Sequence, residues 1–214
     1  MAIIIPAILE ETLASFQDKL FKATHIPGVD RIQVDFGDGK FVSHQTLPIT
    51  EIAPLSPAFV WEAHLMVQEP VDFLDYQLAG FNTLIVHIES FTDASAIIPA
   101  LQAIAGLGMR AGIALNPDTQ LEQLSGVSGF VKHITLLSVD PGFQGGSFQT
   151  RVLERIPQVK KLLPGVILEV DGGIKPDQVP DLVAAGADQL VVGSGIFGDI
   201  DPAAAFNRYQ QKLI

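Results

Sequence analysis

Eight short apolar runs, separated by stretches of helical periodicity, constrain this 214-residue chain more than any other feature. Strands of a parallel sheet read as nearly continuous apolar runs, because helices cover the sheet. The runs predict strands over Ala2 to Ile5, Arg31 to Asp35, Phe59 to Met66, Thr83 to Ile88, Arg110 to Leu115, Lys132 to Leu137, Val166 to Asp171 and Gln189 to Val192. The spacing between them predicts helices such as Glu11 to Thr24, Val71 to Ala79, Ala94 to Leu107, Gln149 to Leu163, Gln178 to Ala185 and Pro202 to Leu213. An open doubly wound α/β sheet uses the same elements, but no Gly-rich dinucleotide fingerprint follows the first run. The expectation is a closed (β/α)8 TIM barrel. No linker divides it, so it is read as one domain over 1–214.

Composition narrows the function. Apolar residues make up 48% of the chain and charged residues 17%, the balance of a molecule with a large buried core. Lys and Arg number 13 against 24 Asp and Glu, for a net charge of −11. A negative surface field predicts no nucleic-acid and no membrane partner, so an anionic ligand needs a local site. The absence of cysteine excludes disulfides, thiolate metal ligands and a Cys nucleophile, and suits a reducing, cytoplasmic setting. The opening MAIIIPAIL is too short to span a bilayer and lacks a basic start; it reads as the first strand.

Chemistry gathers at strand ends. In RIQVDFGDG the two-residue period sends Ile32 and Val34 toward the helices and Gln33 and Asp35 into the barrel, near its C-terminal mouth. In FVWEAHLMV the same period puts Glu62, His64 and Met66 on one face, and Asp171 ends the seventh strand before two glycines. The C-terminal mouth is where barrel enzymes place their chemistry. Two carboxylates facing each other across a carbon can remove a proton from one side and return one to the other. A divalent cation held by Asp35, His64 and Asp171 can stabilise the resulting enediolate as a Lewis acid. Each residue also has a plainer reading: Asp before Gly is ordinary turn chemistry, and a His can make an interior hydrogen bond.

Three glycine-rich turns follow the last three strands: SVDPGFQGGSF, DGGIKP and VVGSGIF. Gly142, Gly145, Gly146, Gly172, Gly173, Gly193 and Ser194 become candidate phosphate-binding positions, since glycine lets backbone N–H groups approach an anion. A helix starting beyond Ser194 would add its positive end. The plainer reading is that these glycines serve tight turns, and Lys175 reads equally as a solvated surface charge.

In order, PAIL, VDFGDGKFV, HLMV, VHIE, GIALNP, SVDPGFQGGSF, EVDGGI and GADQLVVGSGIF resemble the landmarks of the ribulose-phosphate 3-epimerase family over almost the whole chain. The resemblance implies a barrel of the ribulose-phosphate binding type and a divalent metal (Zn, Fe or Mn) held by two His and two Asp. It further implies reversible inversion at C3 between D-ribulose 5-phosphate and D-xylulose 5-phosphate, a step of the pentose phosphate pathway. The ligand is then a small phosphorylated sugar, and homo-oligomers are common in the family. The acid/base pair, which also binds metal, falls on Asp35 and Asp171, and the third-strand metal ligand on His64. Met66 corresponds to one of the methionines that shield the enediolate.

The departures are specific. Gln33 stands where the family has its other metal-binding His, and an amide oxygen is a weaker ligand than imidazole for zinc or iron. Ala7 replaces a Ser near the substrate, Gly37 and Leu137 replace two methionines, and Ser43 and His44 replace Pro-Asn. His44 reads as a loop residue; His87 and His133 read as structural. Two alternatives follow: an epimerase or isomerase for another ketose phosphate, such as a hexulose 6-phosphate seated in space left at Gly37, or a catalytically silent sugar-phosphate-binding barrel. Lyases and decarboxylases on similar barrels place a Lys between strand-end acids, whereas Lys40 lies beyond the strand.

Overall fold

The computed structural model describes residues 2–92, 94–141 and 147–213. Its strands are β1 (Ile3–Ile8), β2 (Arg31–Gly37), β3 (Val60–Met66), β4 (Thr83–His87), β5 (Arg110–Leu115), β6 (His133–Leu137), β7 (Ile167–Asp171) and β8 (Gln189–Val192). Each pairs in parallel with its sequence neighbour, and β8 pairs with β1 to close the barrel. Helices α1 (Leu13–Thr24), α2 (Leu74–Ala79), α3 (Ala94–Gly106), α4 (Val152–Leu162), α5 (Val179–Ala185), α6 (Ser194–Phe197) and α7 (Pro202–Gln210) accompany the strands. The fold is the expected (β/α)8 barrel. After β2 and β5 the connections carry 3₁₀ turns, at Ile49–Glu51 and Leu121–Val127. Among the described residues no helix is long and apolar enough to cross a membrane.

Several boundaries differ from those the sequence predicts. β1 continues past Pro6 to Ile8 because it changes neighbour there: residues 3–6 pair with β8, whereas Ala7 and Ile8 pair with β2. A proline lacks one ladder donor, and a strand that hands its pairing from one side to the other absorbs the loss. β2 runs two residues beyond Asp35 because its whole length pairs with β3, ending at Gly37 opposite Met66. α2 starts at Leu74, not Val71, since the backbone at Glu69 and Asp72 has positive φ (49° and 58°), which a right-handed helix does not accept.

Alternation divides the strand residues as expected. Ile32, Val34, Ala63, Leu65, Leu84 and Val86 belong to the apolar layer between sheet and helices. Burying each larger side chain of this layer contributes about 1.5–3 kcal/mol. Ile5, Ala7 and Val191 form a separate apolar cluster inside the barrel. The rest of the interior is largely polar. Near the N-terminal ends, Arg31 donates to Glu62 at 2.7 Å and Thr135 donates to Glu169 at 2.8 Å, with His133 Nε2 3.4 Å from the same carboxylate. With its amide turned to satisfy both partners, Gln189 links Glu169 to Arg31 at 3.3 and 3.2 Å. This layer seals the barrel floor. A second polar layer sits above it.

Candidate active site

The upper layer is built by register. Asp35 on β2 lies opposite His64 on β3, and Asp171 ends β7 opposite Leu137. Asp35 and Asp171 come from strands three apart around the closed sheet. Gln33, one inward position below Asp35, is fully buried and donates through Nε2 to both carboxylates, at 2.8 Å to Asp35 Oδ1 and 2.8 Å to Asp171 Oδ2. His64 Nδ1 faces the same pair, 3.1 Å from Asp35 Oδ1 and 3.4 Å from Asp171 Oδ2. The structure therefore brings Asp35, His64, Asp171 and Gln33 together, as the strand-end reading expects.

The electrostatics follow from burial and shared charge. Burial raises the Asp35 carboxyl above its usual range, opposed by the His64 hydrogen bond and reinforced by the Asp171 charge. For His64, burial disfavours the imidazolium, but the hydrogen bonds to Asp171 and Asp35 outweigh it and hold the group up at about 10. The carboxylate pair thus demands a positive charge at His64 Nδ1. A divalent cation meets the same demand: one ligand atom each from Asp35, His64 and Asp171 lies within 4.8 Å of the others. Gln33 Oε1 is buried without a partner, so this amide has an oxygen left over for a fourth contact. Two carboxylates, an imidazole and an amide oxygen are a donor set that fits a divalent ion.

His87 was placed by the sequence among the structural histidines; the fold sets its Nε2 2.9 Å from His64 Nε2. Its other nitrogen is 3.1 Å from Glu89 Oε2. The alternation in TLIVH already points residue 87 inward; what the sequence lacks is the register that sets it beside His64. Burial lowers the His87 pKa to about 4, so this ring is neutral. His133 stays in the floor layer, away from the mouth.

Above the carboxylates opens a cavity of about 220 Å³, lined on one side by Asp35, His64 and Met66 and on the other by Gly172, Gly173, Gly193 and Ser194. Lys175 and Tyr209 complete its far wall. Gly172 and Gly173 adopt positive φ of 111° and 65°, a conformation that L side chains resist. A Cβ on Gly193 would sit 3.3 Å from the Ala7 carbonyl, so the backbone passes close to β1 there. The helix at this end begins at Ser194 itself and is only four residues long. Its macrodipole is correspondingly small, and the groups it offers an anion are the N–H groups of its first turn. Gly142, Gly145 and Gly146 lie outside the described residues.

One expectation is overturned. The space at Gly37 is filled by the loop that follows β2: a Cβ there would lie 2.9 Å from Val42 Cγ2 and 3.0 Å from the His44 carbonyl. The Gly37 N–H also donates to the Thr46 hydroxyl and its carbonyl accepts from the Thr46 N–H, so it leaves no room for a longer sugar. His44 is half-buried in that loop and does not line the cavity.

The sequence pattern of the family described as "Ribulose-phosphate 3 epimerase family" matches residues 3–197. The chain is 33% identical to the ribulose-phosphate 3-epimerase of Aquifex aeolicus, in a match covering 100% of this chain and 98% of that protein. It is 31% identical to the ribulose-phosphate 3-epimerase of Bacillus subtilis, over 95% of this chain and 96% of the other. Among solved structures, 3-hexulose-6-phosphate synthase from Salmonella typhimurium is similar with a TM-score of 0.73 at 20% identity, covering 100% of this chain and 98% of that one. At that identity the likeness is one of fold.

Proposed function

The chain belongs to the ribulose-phosphate 3-epimerase family, and from that premise we propose that it is an isomerase interconverting D-ribulose 5-phosphate and D-xylulose 5-phosphate through Asp35 and Asp171. The observation that carries this reading is the pair of carboxylates from β2 and β7, converging on one donor at the floor of a cavity whose other wall is glycine-rich.

One carboxylate removes the proton from C3, and the C–H electron pair moves into the C2 carbonyl to give an enediolate. The opposite carboxyl then delivers a proton to the other face of C3 as the carbonyl re-forms. Such a pair must hold one proton between its two members, and the raised Asp35 pKa supports that state. The direction of reaction decides which residue starts as the base. Gln33, by donating to both carboxylates, keeps them in register through either half-reaction. Asp35, His64 and Asp171 would hold a divalent cation, Zn, Fe or Mn, and when bound it supplies Lewis-acid polarisation of the substrate oxygens. Met66, buried and lining the cavity, excludes water beside the reacting carbon.

The phosphate belongs at the opposite wall. Backbone N–H groups around Gly172, Gly173, Gly193 and Ser194 support that assignment, Gly142, Gly145 and Gly146 extend it on the sequence reading, and Lys175 offers a cation at the rim. Purified protein incubated with ribulose 5-phosphate and Mn²⁺ or Zn²⁺ is expected to accumulate xylulose 5-phosphate. Conversion should drop on the order of 10²–10⁴-fold in Asp35→Asn and in Asp171→Asn. Wild-type-like conversion by either variant would overturn the assignment.

A further inference from the structure

We propose that His87 and Glu89 are positioning residues that commit His64 to binding a cation through its Nδ1 atom; the proposal rests on the reading that Asp35, His64 and Asp171 hold a divalent cation. Hydrogen-bond direction is set along a chain of three side chains. It runs from β3 (His64) to the end of β4 (His87) and the short turn after it (Glu89).

Glu89 is held at both oxygens. Its Oε1 accepts from the backbone N–H of Asn116 at 2.7 Å and from the Thr119 hydroxyl, both in the loop after β5. Its Oε2 lies 3.1 Å from His87 Nδ1. A carboxylate can only accept, so His87 Nδ1 carries the hydrogen and its Nε2 presents a lone pair. That lone pair faces His64 Nε2 at 2.9 Å, and a single proton fits between the two atoms. The proton therefore sits on His64. With a cation in place of the Nδ1 hydrogen, His64 would be neutral and its bare Nδ1 would face Asp35 Oδ1 and Asp171 Oδ2, which lie 3.1 and 3.4 Å from it. Three electron pairs then point at one locus, which is what a cation requires. The Phe41 ring packs against His87, with centroids 4.6 Å apart, and His87 itself is fully buried, so water cannot interrupt the chain.

Outer hydrogen bonds of this kind fix the tautomer of a metal-binding histidine, and their loss typically costs 10–100-fold in metal affinity. Glu89→Gln is the discriminating substitution. The Asn116 N–H and Thr119 hydroxyl hold the new amide oxygen on their side, which turns the amide NH₂ toward His87 Nδ1. His87 must then carry its hydrogen on Nε2, and His64 becomes the acceptor there. The remaining hydrogen of His64 moves to Nδ1, where the cation would bind.

The test uses the full chain, stripped of metal, and two readouts other than turnover: ¹⁵N NMR of the His87 tautomer and Co²⁺ titration followed by its absorption spectrum. The expected result is His87 protonated at Nδ1 in the wild type and at Nε2 in Glu89→Gln, with Co²⁺ affinity about 10–100-fold weaker in the variant and an unchanged far-UV spectrum. His87→Asn, which breaks the relay nearer the site, should weaken Co²⁺ binding over the same range and stands in if Glu89→Gln does not fold. If the wild type binds Co²⁺ and both folded variants bind it equally well, the relay is wrong while the cation site stands. If the wild type binds no Co²⁺, Zn²⁺ or Mn²⁺, the cation site itself is wrong and the relay falls with it.

Discussion

Gln33 donates its amide hydrogen to Asp171 at 2.8 Å, joining β2 to β7 across the barrel between residues 138 apart in the sequence. The same nitrogen reaches Asp35, so a neutral side chain bridges the two carboxylates in a place where an imidazole would bring a ligand nitrogen. Gln33→His should tighten Zn²⁺ binding by about tenfold or more, because imidazole is the stronger ligand. Gln33→Leu should remove the bridge and lower kcat/KM by at least about tenfold, a loss on the order of one charge-assisted hydrogen bond. Zn²⁺ titration against a competing chelator checks the first; initial rates check the second. Unchanged affinity in Gln33→His would mean that position 33 does not reach the cation.

The wall proposed to hold the phosphate makes a separate prediction. Gly172 combines a φ of 111° with a close approach to Val139, so that an added Cβ would overlap the Val139 side chain. Gly172→Ala should cost about 1–3 kcal/mol in a urea titration through backbone strain and raise KM for the phosphosugar. Gly195→Ala should act differently. Its new methyl would collide with the Tyr209 hydroxyl, which donates to the Ile174 carbonyl at 3.0 Å beside the same wall. The expected signature is a raised KM with kcat little changed. A fall in kcat alone would contradict the phosphate assignment.

Stability should depend on pH through the floor layer. Burial, together with the charge of Asp171, raises Glu169 to about 8, and burial with the charge of Glu169 raises Glu62 to about 7. Both folded values exceed the ordinary carboxyl value of 4.5. The folded state therefore binds more protons than the unfolded chain across that interval, and stability falls as pH rises through it. His133, lowered to about 4 by burial, acts in the opposite sense, but only below its ordinary value of 6.5. Between pH 6.5 and 8 the glutamates act unopposed by His133, and His64, held up at about 10, adds in the same sense, so the thermal midpoint should fall over that range. Glu169→Gln keeps the shape and removes the titration; its midpoint should be flatter with pH than that of the wild type. A variant as steep as the wild type would show that Glu169 is ionised in the fold throughout.

Much of the site was legible in the sequence because strand alternation is local. Gln33, Asp35, His64 and Asp171 each needed only the two-residue period and a strand end to be pointed into the barrel mouth. The rest depends on register and on loops. His87 obeys the same alternation, but its contact with His64 exists only because β3 and β4 pair with the stagger that sets His64 opposite Ile85. Gly37 was misread for a related reason: a missing side chain looks like space until Val42 and Thr46 fold back over it. Pro6 hid the length of β1, since the change of pairing partner that makes it tolerable is a property of the closed sheet.

Isotope exchange tests the two-carboxylate account most directly. In D₂O, wild-type protein with ribulose 5-phosphate and Mn²⁺ should place solvent deuterium at C3 of both epimers, while Asp35→Asn and Asp171→Asn should each lose epimerisation. NMR of the recovered sugar phosphates reads both results. Absence of C3 deuterium with Mn²⁺, Zn²⁺ and Fe²⁺ alike, or unchanged epimerisation in either variant, would contradict proton transfer by Asp35 and Asp171.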